Sequence, residues 1–364
     1  MRTFPMFASE LAGGWFVHMS GASSTSATNP QATLDMASAT AALEVAVRAP
    51  SIHNTQPWRW RLGHHGLDLV ADRTRQLAVA DPDGHSLLIS CGAALHLTEL
   101  ALRLDGWRIE TTYFPDPDDP DLLARFHPTG RDPADPVLAE EVDAARRRQS
   151  DRRPFAAGPV SPQERETLRA AGSDSHAWVD FPDRLDRQVE LAVAVSWADR
   201  AQRKDEAYLA EMRHWLRDPD VHTFLDGVPA DAFPHVPADH PRHTDVPLRD
   251  FEVGVTGRQL IEHDVDEQPL IVVIFTPTDT PRDHLNSGIA MMKIMIQAEL
   301  LGLGSCPLSQ AVDLVAFRAH LRGQLGGIGL PQMMLRIGNR NNSLRVAPPT
   351  PRRGPSTVLD MIDY

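Results

Sequence analysis

Two short stretches carry the side chains best suited to chemistry. The first is Pro50-Ser51-Ile52-His53-Asn54-Thr55-Gln56-Pro57-Trp58, inside the run from Arg48 to Leu62. It sets hydroxyl, imidazole and amide groups side by side between two prolines, and such groups donate and accept hydrogen bonds at short reach. A ligand with many carbonyls and ring nitrogens would suit it, although an ordinary polar loop has the same composition. The second is RRRQSDRRPF, Arg146 to Phe155. Its guanidiniums suit a small anion, or simply a solvated face.

The elements around these stretches follow from apolar periodicity and its breaks. A helix over 37–47 and a strand over 58–62 make the polar cluster a helix-to-strand loop, with each proline disfavouring helix at the residue before it. Further expectations are a strand at 67–71, a long helix at 85–104 ended by Gly106, and strands at 107–114 and 122–126, separated by the PDPDDPD turn. A helix over 133–148 leads to the basic run. Ser161 then caps a helix with Pro162 at its first position, running to Ala171. A strand at 177–181 and helices at 185–203 and 206–216 follow. Arg217 to Asp250, rich in proline and histidine, is too long for a plain connector and reads as a lid, arm or insertion. The uninterrupted apolar run 270–276 predicts a strand buried on both faces. A Met-rich helix over 283–301, a loop over 302–310, a strand at 333–337 and a short terminal helix after Arg352-Arg353 complete the chain.

Composition narrows the function classes. The chain has 364 residues and a formal charge of -13. That balance argues against electrostatic binding of nucleic acid or of anionic lipid. Cys91 and Cys306 form no CxxC pair, which fits a reducing, cytoplasmic setting and gives no disulfide framework or zinc knuckle. Residues 1–33, small and polar towards their end, read as a disordered extension and not as a secretion signal. No stretch reaches the roughly 18 apolar residues of a membrane span. His235, His240 and His243, with Asp231, Asp239 and Asp245, lack a fixed ligand spacing, so no metal site is expected. Without a P-loop, or a GxGxxG after a strand, a Rossmann site is not expected either.

The chain also resembles itself. GAALHLTELALRLDG, from Gly92 to Gly106, aligns without a gap on GIAMMKIMIQAELLG, from Gly288 to Gly302. A weaker match pairs ALEVAVRAPSIHNTQPWRW with RETLRAAGSDSHAWVDF. Only the first half has the polar loop, and only the second has the Arg-Ser-Arg cluster. One composite site between the halves is the economical reading.

These motifs resemble the flavin-dependent nitroreductase superfamily, in its two-lobed, single-chain Acg-type branch. The resemblance rests on PSxxNxQPW (Pro50, Ser51, Asn54, Gln56, Pro57, Trp58), an RxSxR box (Arg148, Ser150, Arg152), and a long helix running into GLGxxPL at Gly302 to Leu308. The late pair Arg352-Arg353 is a looser match. The resemblance implies an α+β, nitroreductase-like fold, internally duplicated so that one chain mimics the usual intertwined homodimer. The lobes would be 34–140 and 141–364, with 217–250 a possible lid insertion. It implies FMN as cofactor, with NADH or NADPH as a visiting co-substrate. Arg148, Ser150, Arg152 and Arg352 or Arg353 would hold the phosphate. Pro50, Ser51, His53, Asn54 and Gln56 would meet the pyrimidine edge and ribityl chain. The backbone of Pro307, Leu308, Ser309 and Gln310 would pass over the other ring face. Hydride transfer needs no protein acid, base or nucleophile, so no catalytic residue is assigned.

Two functions are compatible with this reading. One is an NAD(P)H-dependent FMN oxidoreductase acting on nitroaromatics, quinones or similar acceptors. The other is a flavin-sequestering or stress-storage protein whose insertion closes the ring to nicotinamide. In either case the second lobe replaces a partner, so a monomer or weak homodimer is expected.

Overall fold

The computed structural model describes residues 33–364 except 175, 183, 219, 222, 233, 236–258, 261–266, 325, 345, 347 and 363–364. The extension at 1–32, and most of the 217–250 segment with His240 and His243, therefore lie outside the described residues.

Helix α1 (Met36–Ala46) is capped by Asp35, whose side chain accepts from the Ser38 amide. Strands β1 (Trp58–Gly63) and β2 (Gly66–Ala71) form a hairpin in which Trp58, Trp60 and Leu62 point inward. Helix α2 (His85–Leu104) is followed by β3 (Trp107–Tyr113) and β4 (Leu122–Arg131). β4 runs past the expected end because Pro128 sits at a register shift beyond the last residue paired with β2, where its missing N–H breaks no ladder. Helix α3 (Pro136–Arg147) begins later than expected, since Asp135 caps it and Pro136 takes the first position. Helix α4 (Pro162–Gly172) has the Ser161–Glu164 capping box. Strand β5 (Trp178–Asp180) and helices α5 (Leu185–Gln202) and α6 (Glu206–Trp215) follow. Four two-residue strands come next. β6 (Leu216–Arg217) pairs with β7 (Val228–Pro229), and β8 (Pro234–His235) with β9 (Gln259–Leu260).

Strand β10 (Leu270–Thr276) is buried at every residue. Thr280 and Asp283 form the capping box of α7 (Pro281–Leu300), which starts the helix before the expected Asp283. Residues 303–308, expected as a loop, are a strand, β11 (Leu303–Leu308), antiparallel to β12 (Leu330–Asn339). Its glycine and proline weaken the local signal, but the pairing is supplied by a distant strand, which a local pattern cannot reveal. Helices α8 (Gln310–Asp313) and α9 (Val315–Gln324) had no counterpart among the expected elements. The terminal helix α10 (Pro355–Val358) passes directly into β13 (Leu359–Met361).

Two sheets result, in the orders β13-β1-β2-β4-β3 and β11-β12-β10-β5. Set out from its preceding helix, each follows the same course: α1-β1-β2-α2-β3-β4 and α4-β5-β10-α7-β11-β12. In both, the first strand pairs with the second, the second with the fourth and the fourth with the third, all antiparallel. Register shifts fall at matching places, between Leu69 and Val70 and between Ile274 and Phe275. The exception is β13, which adds the chain's end in parallel beside β1.

Helices α2 and α7 pack on one another at the centre of this unit. By length and mean hydropathy α2 alone among the described helices could cross a membrane, contrary to the expectation of no such stretch. Of its most apolar 18-residue window, 78% is buried inside the protein. Its apolar surface is accounted for by α1, α3, α7 and the first sheet.

Candidate functional site

The loop after α1 is held in a conformation that side chains resist. His53, Asn54 and Gln56 have φ of 46, 55 and 51°. Non-glycine residues in this left-handed region cost on the order of 1–2 kcal/mol each. Hydrogen bonds hold the loop there. The Ser51 hydroxyl accepts from the Gln56 amide at 2.9 Å, and the Ser90 hydroxyl on α2 accepts from the Ile52 amide at 3.1 Å. The Asn54 amide donates to the carbonyls of Gly227 at 2.8 Å and Pro351 at 3.0 Å. Three distant segments thereby fix one loop.

The basic box lies across from it. After α3 the chain runs beside the edge of the second sheet, where Ser150 bridges to Ser305 and the Asp151 amide donates to the Ser305 carbonyl at 2.8 Å. Arg148, Ser150 and Arg152 are thus aligned next to Cys306 and Pro307, the last part of β11. The approach of 348–352 brings Thr350 and Arg352 to the same place.

One cleft collects these pieces. Its walls include Pro50, Ser51, His53, Asn54, Arg148, Ser150, Arg152, Pro307, Leu308, Ser309, Gln310 and Arg352. Among the described residues four arginines line it (Arg48, Arg148, Arg152, Arg352) and no acidic residue does. Burial pushes Arg148 down to about 10, against the pull of Glu299 and with a further push from Arg48 and Arg152, and it pushes Arg352 to about 9 with a further push from Arg148, Arg48 and Arg152. Burial lowers Arg152 as well. All remain cationic at neutral pH. Glu299 opposes the shift at Arg148 and Asp151 that at Arg152, but no carboxylate is among the described residues that line the cleft. Arg148 Nε and Nη1, Arg352 Nε, Asn54 Oδ1 and Gln310 Oε1 are buried with no hydrogen-bond partner among the described residues. Buried polar atoms are ordinarily satisfied, so the guanidinium nitrogens call for an anionic acceptor and the two amide oxygens for a hydrogen-bond donor.

Two expected residues stand apart from the lining. Gln56 is fully buried behind the loop, with its amide donating to the Leu225 carbonyl at 2.8 Å and its oxygen accepting from the Arg353 amide at 2.8 Å. Arg353 reaches the Gln56 carbonyl, the Thr357 carbonyl and Asp72. These two tie the chain's end to the loop, and Arg352 is the member of the pair that enters the cleft. Arg147 turns outward to Glu299, and Arg153 pairs with Asp151.

Several lining residues were not singled out in the sequence. Arg48 precedes the polar motif by two residues and could have been taken with it, since it stands inside the same run. Ser86 and Ser90 sit one turn apart on a helix that otherwise reads as plain core, so nothing in their spacing distinguished them.

The described part of the 217–250 segment closes over this loop. Asp226 is gripped by Arg75 from the first sheet's side and by Arg217 from its own. The carbonyls of Leu225 and Gly227 are the acceptors for Gln56 and Asn54. Val228 and Ala232 then form part of the cleft wall.

The description "Nitroreductase family" belongs to a family model that matches residues 145–339. A protein of Mycobacterium tuberculosis (strain H37Rv), named "Putative NAD(P)H nitroreductase", is 34% identical over 321 residues, covering 87% of this chain and 90% of its own. Another from that organism, named "Putative NAD(P)H nitroreductase acg", is 29% identical over 316 residues, covering 86% and 92%. Among solved structures, a nitroreductase with bound FMN from Bacteroides fragilis is similar at a TM-score of 0.36 and 14% identity, covering 59% of this chain and 96% of that one.

Proposed function

The chain belongs to the nitroreductase family of oxidoreductases, and from that premise we propose that it binds FMN in the cleft and passes reducing equivalents from NADH or NADPH to a nitroaromatic, quinone or similar acceptor. The observation that carries this reading is the cluster of Arg48, Arg148, Arg152 and Arg352 in a cleft whose described lining holds no carboxylate. Four mutually repelling guanidiniums in a chain of charge -13 need an anion of high charge density. A phosphate monoester meets that need, since guanidinium presents forked donors to its oxygens.

The remaining walls suit the rest of the cofactor. Ser51, His53 and Asn54 offer hydroxyl, ring nitrogen and amide to a pyrimidine edge and polyol. The turn from Pro307 to Gln310 offers backbone and the Gln310 amide to the other side. Bound flavin supplies the hydride chemistry, so the protein's part is holding, orienting and excluding water. The correspondence of the two sheets supports reading 34–140 and 141–364 as two lobes that share this one site.

The lid contacts favour a second reading, in which the segment closed by Asp226 keeps nicotinamide off the ring and the protein holds flavin without turnover. Purified protein is expected to be yellow and to release FMN on denaturation. A colourless preparation that takes up no added FMN overturns both readings. Anaerobic mixing with NADH or NADPH then separates them: bleaching of the flavin band supports the enzyme, and bleaching by dithionite alone supports the closed protein.

A further inference from the structure

Cys91 and Cys306 stand in opposite surroundings. Cys91 is fully buried in α2, its thiol donates to the Pro57 carbonyl at 3.2 Å, and burial pushes that thiol up. A thiol held in this way is inert. Cys306 is 3% exposed but lines the cleft, so the cleft is its route to solvent. On β11 it lies beside the basic box, because Ser150 bridges to Ser305. Its charge is felt by both arginines of the box, since an ionised Cys306 favours the cationic form of Arg148 and of Arg152. That attraction is mutual, and neighbouring guanidiniums are what make a cysteine a nucleophilic thiolate. An independent feature of the same wall asks for an anion. Arg148 is 5% exposed, and its Nε and Nη1 have no hydrogen-bond partner among the described residues.

We propose that Cys306 is an oxidation site, at which peroxide entering the cleft of FMN-free protein creates a tethered anion that takes the place of the ligand's phosphate. The exclusion of FMN rests on the cofactor reading above, whereas the oxidation does not. The thiolate sulfur attacks one oxygen of hydrogen peroxide. An S–O bond forms as the O–O bond breaks, sulfur gives up two electrons, and the second oxygen leaves as hydroxide. The product is a sulfenic acid, and a second peroxide repeats the step on its sulfur to give a sulfinate. The sulfinate is an anion at neutral pH, fixed one carbon from the backbone beside Arg148 and Arg152. Tethering gives it an effective concentration of roughly millimolar order or more, and its oxygens accept the same forked donors as a phosphate. Bound FMN would cover the thiol, so loading and oxidation exclude each other. Peroxide therefore keeps unloaded protein unloaded and leaves loaded protein intact.

The test treats the full chain, stripped of FMN or loaded with it, with hydrogen peroxide. Mass spectrometry reads the Cys306 and Cys91 peptides, and equilibrium dialysis reads FMN uptake. Added oxygen is expected on Cys306 of stripped protein, not on Cys91, and less on Cys306 when FMN is bound. The affinity of oxidised protein for FMN should fall at least about tenfold, the worth of one or two charge-assisted hydrogen bonds. Cys306→Ser, or Cys306→Ala should the serine variant misfold, is expected to bind FMN equally before and after treatment. This arm separates the thiol from Met291 and Met333 in the same wall. Untreated protein that takes up no FMN overturns the cofactor reading and the competition together. Uptake that survives oxidation of Cys306 overturns this inference alone, and so does a Cys306 that stays unmodified or a Cys306→Ser protein that loses uptake on treatment.

Discussion

Gly92 on α2 and Gly288 on α7 meet where the two central helices cross. A β-carbon on Gly92 would lie 2.2 Å from the Leu285 carbonyl oxygen, and one on Gly288 would lie 2.0 Å from that of Ile89. Each glycine thus faces the residue three positions before the other, which is the reciprocal contact of a twofold axis, realised inside one chain. These are also the two glycines that head the repeated helix sequences.

Gly92→Ala and Gly288→Ala are therefore expected to be among the most damaging single-methyl changes in the protein. The added carbon would force backbone apart from backbone, and overpacking of that kind costs about 1–3 kcal/mol or more. The penalty outweighs the helix propensity gained, roughly 1 kcal/mol. Urea unfolding checks this, and a midpoint unchanged in either variant would mean that the helices are not so closely crossed.

The cation cluster predicts opposite effects on stability and on binding. Replacing Arg148 by Met removes a buried charge for which desolvation and the repulsion of Arg48 and Arg152 outweigh the attraction of Glu299, so protein stripped of FMN should unfold at a higher urea concentration. The same change should weaken FMN retention about 10–100-fold, the value of one or two charge-assisted hydrogen bonds. Equilibrium dialysis and urea titration read the two arms separately. Loss of stability together with unchanged FMN content would mean that Arg148 serves the fold and not the ligand.

The latch at Asp226 makes a kinetic prediction. Its carboxyl lies below the usual range because Arg217 and Arg75 hydrogen-bond it, overcoming the opposing effect of burial. Asp226→Asn keeps the shape and weakens both ion pairs, so the segment carrying Val228 and Ala232 should open more often. Iodide quenching of FMN fluorescence, and flavin reduction by NADPH, should both become faster. If neither rate moves, this segment does not control access.

Much of this arrangement was legible in the sequence, and the rest was hidden for identifiable reasons. Periodicity and caps located both central helices, because their signals are local. Pairing between distant strands left no such trace, which is why Leu303–Leu308 read as a loop. The same limit applies to Arg352 and Arg353. Adjacent and chemically equivalent as text, they were separated only by folding, which sends one into the cleft and the other to Gln56 and Asp72. Gln56 itself looked like a ligand contact because it sits in a polar motif, yet its amide is consumed by Leu225 and Arg353.

A buried imidazole next to the cleft gives a pH dependence with a defined sign. His85, at the start of α2, has its ring Nε2 2.8 Å from Gln332 Oε1. Burial, followed by the charges of His284 and Arg318, pushes its pKa down to about 3. Arg318 also pairs with Asp279 at 3.0 Å, so the positive charge in this cluster is already present and the imidazole stays neutral. In the unfolded chain the same ring titrates near 6.5. Between those values the unfolded state binds a proton that the folded state refuses. The contribution of His85 is therefore complete above pH 6.5 and is lost as pH falls towards 3, at about 1.4 kcal/mol per pH unit. His85→Gln, neutral at every pH, should flatten the acid limb of the stability curve by about one proton while costing about 1 kcal/mol at pH 7 for the altered hydrogen bond. Urea midpoints measured from pH 7 down to pH 4 decide it: if the two proteins lose stability in parallel, His85 is charged in the fold and the neutral assignment fails.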